Sequence, residues 1–301
     1  MKAFIDLLEK AEIDYIENEP MKNHTSFKTG GPASVFVSPK NEDELIKLLE
    51  MCRSLSLKPF VIGNGSNLLI SDDGIRQRPV IHIGKAFNFI KDIDDTTIEV
   101  GAGASLTALC NYALSKELSG LEFAFGIPGS CGGAAYMNAG AYGGEMKDVM
   151  ISCNHVDAEG NRGVFSGDEL DLSYRHSAYS DREYIITSIV VKLQKGDKIA
   201  IEEKMQDLMG RRKDKQPLEY PSAGSVFKRP EGYFAGALVE QSGLKGKRIG
   251  GAMVSEKHAG FIINYDNATT GDVLDLIRFC QDTVKDNFGV ELETEIKYVS
   301  D

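Results

Sequence analysis

The 301-residue chain contains no tryptophan and no CxxC pair. Its five cysteines (Cys52, Cys110, Cys131, Cys153, Cys280) are odd in number and far apart. That distribution argues against a disulfide scaffold and a zinc ribbon, and it suits a reducing cytoplasm. No two of the five histidines lie within 19 residues of each other, so no HExxH-type site can be drawn and no metal is expected. Long apolar runs are also missing. None approaches the roughly 20 residues of a bilayer-spanning helix. The N-terminal stretch MKAFIDLLEKAEID is acidic and amphipathic without an apolar h-region, which argues against secretion. Basic residues are in deficit, 34 against 45 acidic, for a net charge of −11. Such a balance argues against nucleic acid as a main partner, because proteins of that kind carry basic faces. It leaves room for a local basic pocket facing one phosphorylated metabolite.

What is present points to a soluble α+β protein. Hydrophobic residues make up 42% and charged residues 26%, enough apolar material for a large core. The length predicts two or three modules. A short helix is expected from Phe4 to Ala11, then a polar segment, NHTSFKTGGPA. Asn41 with Glu44 forms a capping pattern opening a helix through Leu57. Strands are expected at PFVIG, VIHIG, TIEVGAGA, ISCNHVD, GVFS and EYIITSIVVKL, with a helix capped by Ser105 among them. Near Lys195 a long apolar strand gives way to the charged helix IAIEEKMQDLMGRRKDK. This predicts one module over 1–195 and a second over 196–301. The second should hold strands at SVFK, RIGGAMV and VELETEIKYV, with helices over 235–241 and 271–287.

Two glycine-rich segments are the first candidates for chemistry. Gly63-Asn64-Gly65-Ser66-Asn67 follows a predicted strand, and its backbone N–H groups could form an anion-binding nest. The plainer reading is a turn, and the segment matches neither GxGxxG nor GxxxxGK[ST]. Between Gly120 and Gly144, eight of 25 residues are glycine, about three times the chain average. The core of that run, GIPGSCGGAAYMNAGAYGGE, lets backbone lie flat against a planar ligand, with Ser130 and Asn138 offering hydrogen bonds. A tight glycine corner between strands is the equal alternative.

Five segments in order carry a resemblance: GNGSNLLISDDG, LSGLEFAFGIPGSCGGAAYMNAGAYGGE, LSYRHSAY, YPSAGSVFKRP and ELETEIKYV. From Asn23 to Tyr298 the chain resembles the UDP-N-acetylenolpyruvoylglucosamine reductase (UDP-N-acetylmuramate dehydrogenase) family, in a compact variant without an inserted tyrosine-bearing loop. The resemblance implies an FAD-binding module of the PCMH/vanillyl-alcohol-oxidase type in two lobes, roughly 1–75 and 76–195. A smaller α+β substrate-binding module follows it. It also implies non-covalent FAD, held by Gly63, Asn64, Gly65, Ser66, Asn67 and Leu68 together with Ile127, Pro128, Gly129, Ser130, Gly133, Asn138 and Gly140. Cys131 reads as a small residue packed under the cofactor.

The implied activity is NADPH-dependent reduction of UDP-N-acetylglucosamine enolpyruvate to UDP-N-acetylmuramate in the cytoplasm. That places the chain in peptidoglycan precursor synthesis, cell-wall biogenesis, cell shape and cell division, with no membrane or obligate protein partner. The catalytic residues fall on Arg175, Ser225 and Glu295. By residue type alone, Arg175 is a surface arginine and Ser225 a serine after a glycine turn. Strand alternation cannot separate Glu295 from Glu293. Arg211 and Lys215 would meet the UDP diphosphate, and Arg229 stands where the family usually has Asn. Rival readings are another flavin oxidase or dehydrogenase acting on a different sugar or alcohol, a serine hydrolase using Ser225 and His176, and a non-catalytic nucleotide-binding module. The hydrolase reading lacks the GxSxG elbow.

Overall fold

A computed structural model describes residues 1–301 and divides the chain into two compact units. Unit 1 comprises Met1–Ile16, Val35–Asn64 and Arg78–Arg212; unit 2 comprises Glu17–Ser34, Gly65–Gln77 and Lys213–Asp301. The division differs from a single cut near residue 195. Two early segments belong with the C-terminal unit, and the charged helix belongs mostly with the first. The reason is non-local pairing. Strand Leu68–Ile70 runs parallel to the terminal strand Lys297–Val299, with Leu69 opposite Tyr298.

Unit 1 contains helices α1 (Lys2–Lys10), α2 (Glu42–Ser54), α3 (Leu106–Ser115), α4 (Cys131–Tyr136) and α5 (Lys198–Lys215), which ends the unit at Arg212. α2 starts where its sequence asks, since Asn41 Oδ1 accepts from the Glu44 N–H at 2.8 Å. Ser105 caps α3 in the same way through the Ala108 N–H. A five-stranded antiparallel sheet has the order 162–166, 150–156, 185–192, 97–101, 90–92. Its middle strand, Ile185–Lys192, is buried at seven consecutive residues because both faces are covered. A smaller parallel set pairs Phe36 and Phe60 on either side of Val80. α2 carries the chain from the strand of Phe36 to that of Phe60 on the far side of the Val80 strand, the kind of crossover that parallel strands require.

Unit 2 has helices α6 (Ala235–Gln241) and α7 (Thr270–Phe288) and a separate core around Phe27, Leu69, Val226, Val254, Ile262 and Leu276. Thr269 and Asp272 form a reciprocal capping box on α7, and Gly289 closes it at φ +69°. Asp72 reinforces the same end by accepting from the Thr270 and Gly271 N–H groups.

Three strand expectations change here. RIGGAMV is two strands, Arg248–Ile249 and Ala252–Val254, folded back through Gly250-Gly251. A two-residue Gly-Gly loop is a hairpin signal, and Gly250 has φ +51°. SVFK is no strand; only Phe227 bridges, to Thr294. Of VELETEIKYV only Lys297–Val299 is strand, and after Ile296 the alternation slips, burying Val299 and leaving Tyr298 49% exposed. No helix is long and apolar enough to cross a membrane.

Candidate active site

In unit 1 the two glycine-rich segments meet at Gly63 and Ser130. A β-carbon built at Gly63 would sit 2.5 Å from the Ser130 hydroxyl, so only glycine allows the approach. Ser130 is buried and caps α4, its Oγ accepting from the Gly133 N–H at 3.2 Å. Main-chain bonds fix the surrounding segment: Ile127 N to Ala124 O, Leu106 N to Gly129 O, and Cys131 N to Ala104 O. Ile127 packs on the core and Pro128 faces solvent.

Gly132 and Gly133 differ in a telling way. A β-carbon at Gly132 would strike Ala102 Cβ at 2.7 Å, whereas at Gly133 it would meet only Ser130 Oγ, at 3.3 Å. Gly132 is packed, and Gly133 borders open space. Backbone and small side chains around such a space suit a flat aromatic group, so these residues fit an isoalloxazine. Cys131 lies in the core with its thiol pushed up by burial, which makes it filler and not a tether. Burial also holds Cys52, Cys110, Cys153 and Cys280 at about 12, and all five cysteines are free.

Two of the expected cofactor contacts have other duties. Gly140 sits in a tight hairpin, where a β-carbon would come 2.7 Å from Gly144 O. Asn138 is fully buried and donates both amide hydrogens inside the protein, to Glu145 Oε2 at 2.7 Å and Ser173 O at 2.9 Å. Its oxygen accepts from the Lys147 N–H. No amide hydrogen remains for a ligand.

Arg175 lies in the turn Ser173–His176, closed by two main-chain bonds of 3.2 Å between its end residues. Its φ of +56° is an uncommon conformation for arginine. The guanidinium stands 5.2 Å over the Tyr174 ring. The expected basic pair on α5 resolves unequally. Arg211 is 58% exposed and tied to Asp207 one turn back. Arg212, which residue type alone did not single out, is buried, with its guanidinium 5.4 Å over the Tyr142 ring and a flank close to Gly126. Burial lowers its ionisation from the ordinary arginine value. A signal was available, because Arg212 falls with Met205 and Leu208 on the inward face of the helix.

Unit 2 holds the other candidates. Gly65 has φ +59°, and a β-carbon there would lie 2.0 Å from His24 O. Its carbonyl accepts from Ser26 N, while Asn67 O accepts from Lys297 N and Asn67 Nδ2 donates to Glu295 O at 3.1 Å. These anchors leave the Gly65 and Ser66 N–H groups outside them. Leu68 opens the strand that follows. Ser225 follows Gly224 at φ +77°. Its neighbour Val226 donates to Gly260 O and accepts from the Glu295 N–H at 2.7 Å. Ser225 and Glu295 therefore lie on adjoining segments, both half-buried. Glu293 is exposed and paired with Lys228, which separates the two glutamates that alternation could not. Lys215 is exposed, and Arg229 stacks 4.3 Å over the Phe234 ring.

The glycine-rich loops fit a flat cofactor, and the matching families make the class a flavoprotein oxidoreductase. An FAD binding domain family matches residues 33–164, and the C-terminal domain family of UDP-N-acetylenolpyruvoylglucosamine reductase matches 216–299. The reductase of Caldanaerobacter subterraneus subsp. tengcongensis is 52% identical over 284 residues, 94% of this chain and 93% of that protein. The Clostridium novyi reductase is 47% identical over 302 residues, covering 100% of this chain and 96% of its own. The crystal structure of UDP-N-acetylenolpyruvylglucosamine reductase from Thermus caldophilus superposes with a TM-score of 0.81 at 35% identity, covering 96% of this chain and 99% of that one. The chain belongs to the UDP-N-acetylenolpyruvoylglucosamine reductase family.

Proposed function

We propose that the protein reduces the enolpyruvyl ether of UDP-N-acetylglucosamine to the lactyl ether of UDP-N-acetylmuramate, a step of peptidoglycan precursor synthesis, in the cytoplasm with NADPH as reductant. The observation that carries this reading is family membership across 94% of the chain, spanning both units. Gly63, Asn64, Gly65, Ser66, Asn67 and Leu68 are assigned to FAD, with Ile127, Pro128, Gly129, Ser130 and Gly133. FAD, when bound there, would supply the hydride chemistry between NADPH and the substrate.

The residues of the chain supply position and protons. The Arg175 guanidinium fork holds the enolpyruvyl carboxylate and stabilises the charge that develops beside it. Ser225 Oγ donates the proton to the enolpyruvyl carbon that bears the carboxylate. A serine hydroxyl is a weak acid, so it acts only where the charge of the reacting carbon drives the transfer. Glu295, half-buried, stabilises the enol-type species through a bridging water. Arg212, Lys215 and Arg229 are assigned to the diphosphate; Arg211 is left to Asp207.

The test is direct. Purified protein should be yellow, release FAD on denaturation, bleach with NADPH without oxygen and regain colour with the enolpyruvyl sugar, yielding UDP-N-acetylmuramate. A colourless preparation that FAD cannot reconstitute would refute the reading. A reduced enzyme that only oxygen reoxidises would make it an oxidase of another substrate.

A further inference from the structure

We infer that Asn138 is a positioning residue for Arg175, acting through the Ser173 carbonyl. The inference rests on the role given to Arg175 above. Asn138 follows α4 with φ +44°, a left-handed conformation that asparagine tolerates better than most residues. Two of its bonds are local. The one to Glu145 and the one from Lys147 close the hairpin it belongs to, seven and nine residues away. The third reaches 35 residues along the chain to Ser173 O, the first residue of the Arg175 turn.

A second tether lies on the other side of that turn. Buried Ser177 donates its hydroxyl to Tyr136 O at 2.6 Å. Both ends of the segment carrying Arg175 are thus fastened to the last turn of α4 and the second residue beyond it. The turn closes itself through its own two main-chain bonds. Without Asn138 it would persist as a turn but could rock about the Ser177 tether. Arg175 is a long side chain whose direction is set by a left-handed backbone, so rocking displaces the guanidinium before it disturbs any core residue. A fork that must meet a planar carboxylate tolerates little displacement.

The discriminating variant is the exchange Asn138→Asp with Glu145→Gln. The introduced aspartate tolerates the same backbone, accepts from Lys147 N and accepts from the amide of the introduced glutamine. It has no hydrogen for Ser173 O. Flavin content and bleaching by NADPH should match the wild type, while the unfolding midpoint should fall modestly, because the buried aspartate sets an oxygen against Ser173 O. Reoxidation by the enolpyruvyl sugar should slow about 10-fold to 10²-fold, the scale of an ångström-sized misplacement. Calorimetry on the oxidised protein should show weaker binding of the same sugar. Placed on Arg175→Ala, the exchange should add no further loss, because its effect runs through the missing side chain.

Reoxidation at the wild-type rate overturns the inference, as do losses that multiply with those of Arg175→Ala. Equal slowing of both half-reactions, with flavin or folding lost, also overturns it by making Asn138 structural. If Arg175→Ala alone reoxidises normally, the role of Arg175 falls and the inference with it. If Arg175→Ala is crippled and the exchange is not, only the inference falls.

Discussion

The two units hold their functional residues by different means. In unit 2, Ser225 and Glu295 are aligned chiefly through the main chain, Val226 N to Gly260 O, Glu295 N to Val226 O and Lys297 N to Asn67 O, with one side-chain bond from Asn67 Nδ2 to Glu295 O. In unit 1, the Arg175 turn closes on its own main chain, and the Ala178 N–H to Leu170 O bond closes the wider loop. Its ties to the α4 region, however, are side chains, Asn138 on one flank and Ser177 on the other. Main-chain bonds are indifferent to side-chain identity but intolerant of altered backbone geometry. Side-chain tethers are the reverse, each one substitution from being lost. Unit 2 should therefore accept changes at reactive side chains without unfolding, and it should be vulnerable at glycines that shape its backbone.

The largest expected effect tests the first half of that contrast. Ser225→Ala should fold, bind FAD and bleach with NADPH as the wild type does. Its reoxidation by the enolpyruvyl sugar should fall about 10²-fold to 10⁴-fold, the usual contribution of a positioned acid. Ser225→Cys should recover part of that rate. Stopped-flow traces of the two half-reactions give the answer, and damage to both alike would make Ser225 a structural residue.

Next comes the backbone itself. Gly65→Ala demands a left-handed alanine whose β-carbon overlaps His24 O. It should destabilise by about 3 kcal/mol, combining strain with overpacking, as read by urea unfolding. A neutral result would mean the turn is not fixed by its anchors.

In unit 1 the adjacent glycines of α4 should part company. Gly132→Val should lower the unfolding midpoint, since Ala102 already fills the space. Gly133→Val should leave a folded protein that purifies mostly without flavin. Full flavin in a folded Gly133→Val variant would move the cofactor off this segment.

Smaller still is the effect at α5. Arg212→Ala should raise KM for the UDP-sugar about 10-fold to 10²-fold, as loss of a charged hydrogen bond does, with a lesser change in kcat. Arg211→Ala should change it less than about fivefold, being an exposed ion pair. A reversal of the two would restore Arg211 to the diphosphate.

The smallest effect is shared by both units. Burial lowers the titration of His155 and of His258 below the ordinary histidine value of about 6.5. The unfolded chain then binds more protons over the interval between unfolded and folded values. Stability is full above about 6.5 and declines as pH falls through that interval. Unfolding midpoints should drop modestly from pH 7 to 5.5, and His155→Gln should flatten part of the slope. His155 Nδ1 lies 2.9 Å from the Tyr179 hydroxyl, a contact that glutamine can approximate.

Signals confined to a few neighbouring residues were legible in the sequence. Asn41 and Ser105 cap helices where their side chains predict, because an N-cap bond spans three residues. The glycine density between Gly120 and Gly144 marked a backbone-shaped site, since close approach needs a missing β-carbon wherever the chain goes. The Gly250-Gly251 hairpin was equally local, yet the apolar residues flanking it read as one strand. Other features depend on partners far along the chain. The Glu295 neighbourhood is set by Val226 and Asn67, and its half-burial against exposed Glu293 follows from that pairing.

By itself, then, the sequence determined where helices begin, where backbone must pass without side chains, and to which family the motifs point. Tertiary structure decided that residues 17–34 and 65–77 belong with the C-terminal unit, because Leu68–Ile70 pairs with a strand more than 200 residues away. It also turned Arg212 inward and gave both amide hydrogens of Asn138 to Glu145 and Ser173. Hydrogen bonds and burial of that kind depend on which distant segments arrive beside a residue, and no pattern of its immediate neighbours encodes their arrival.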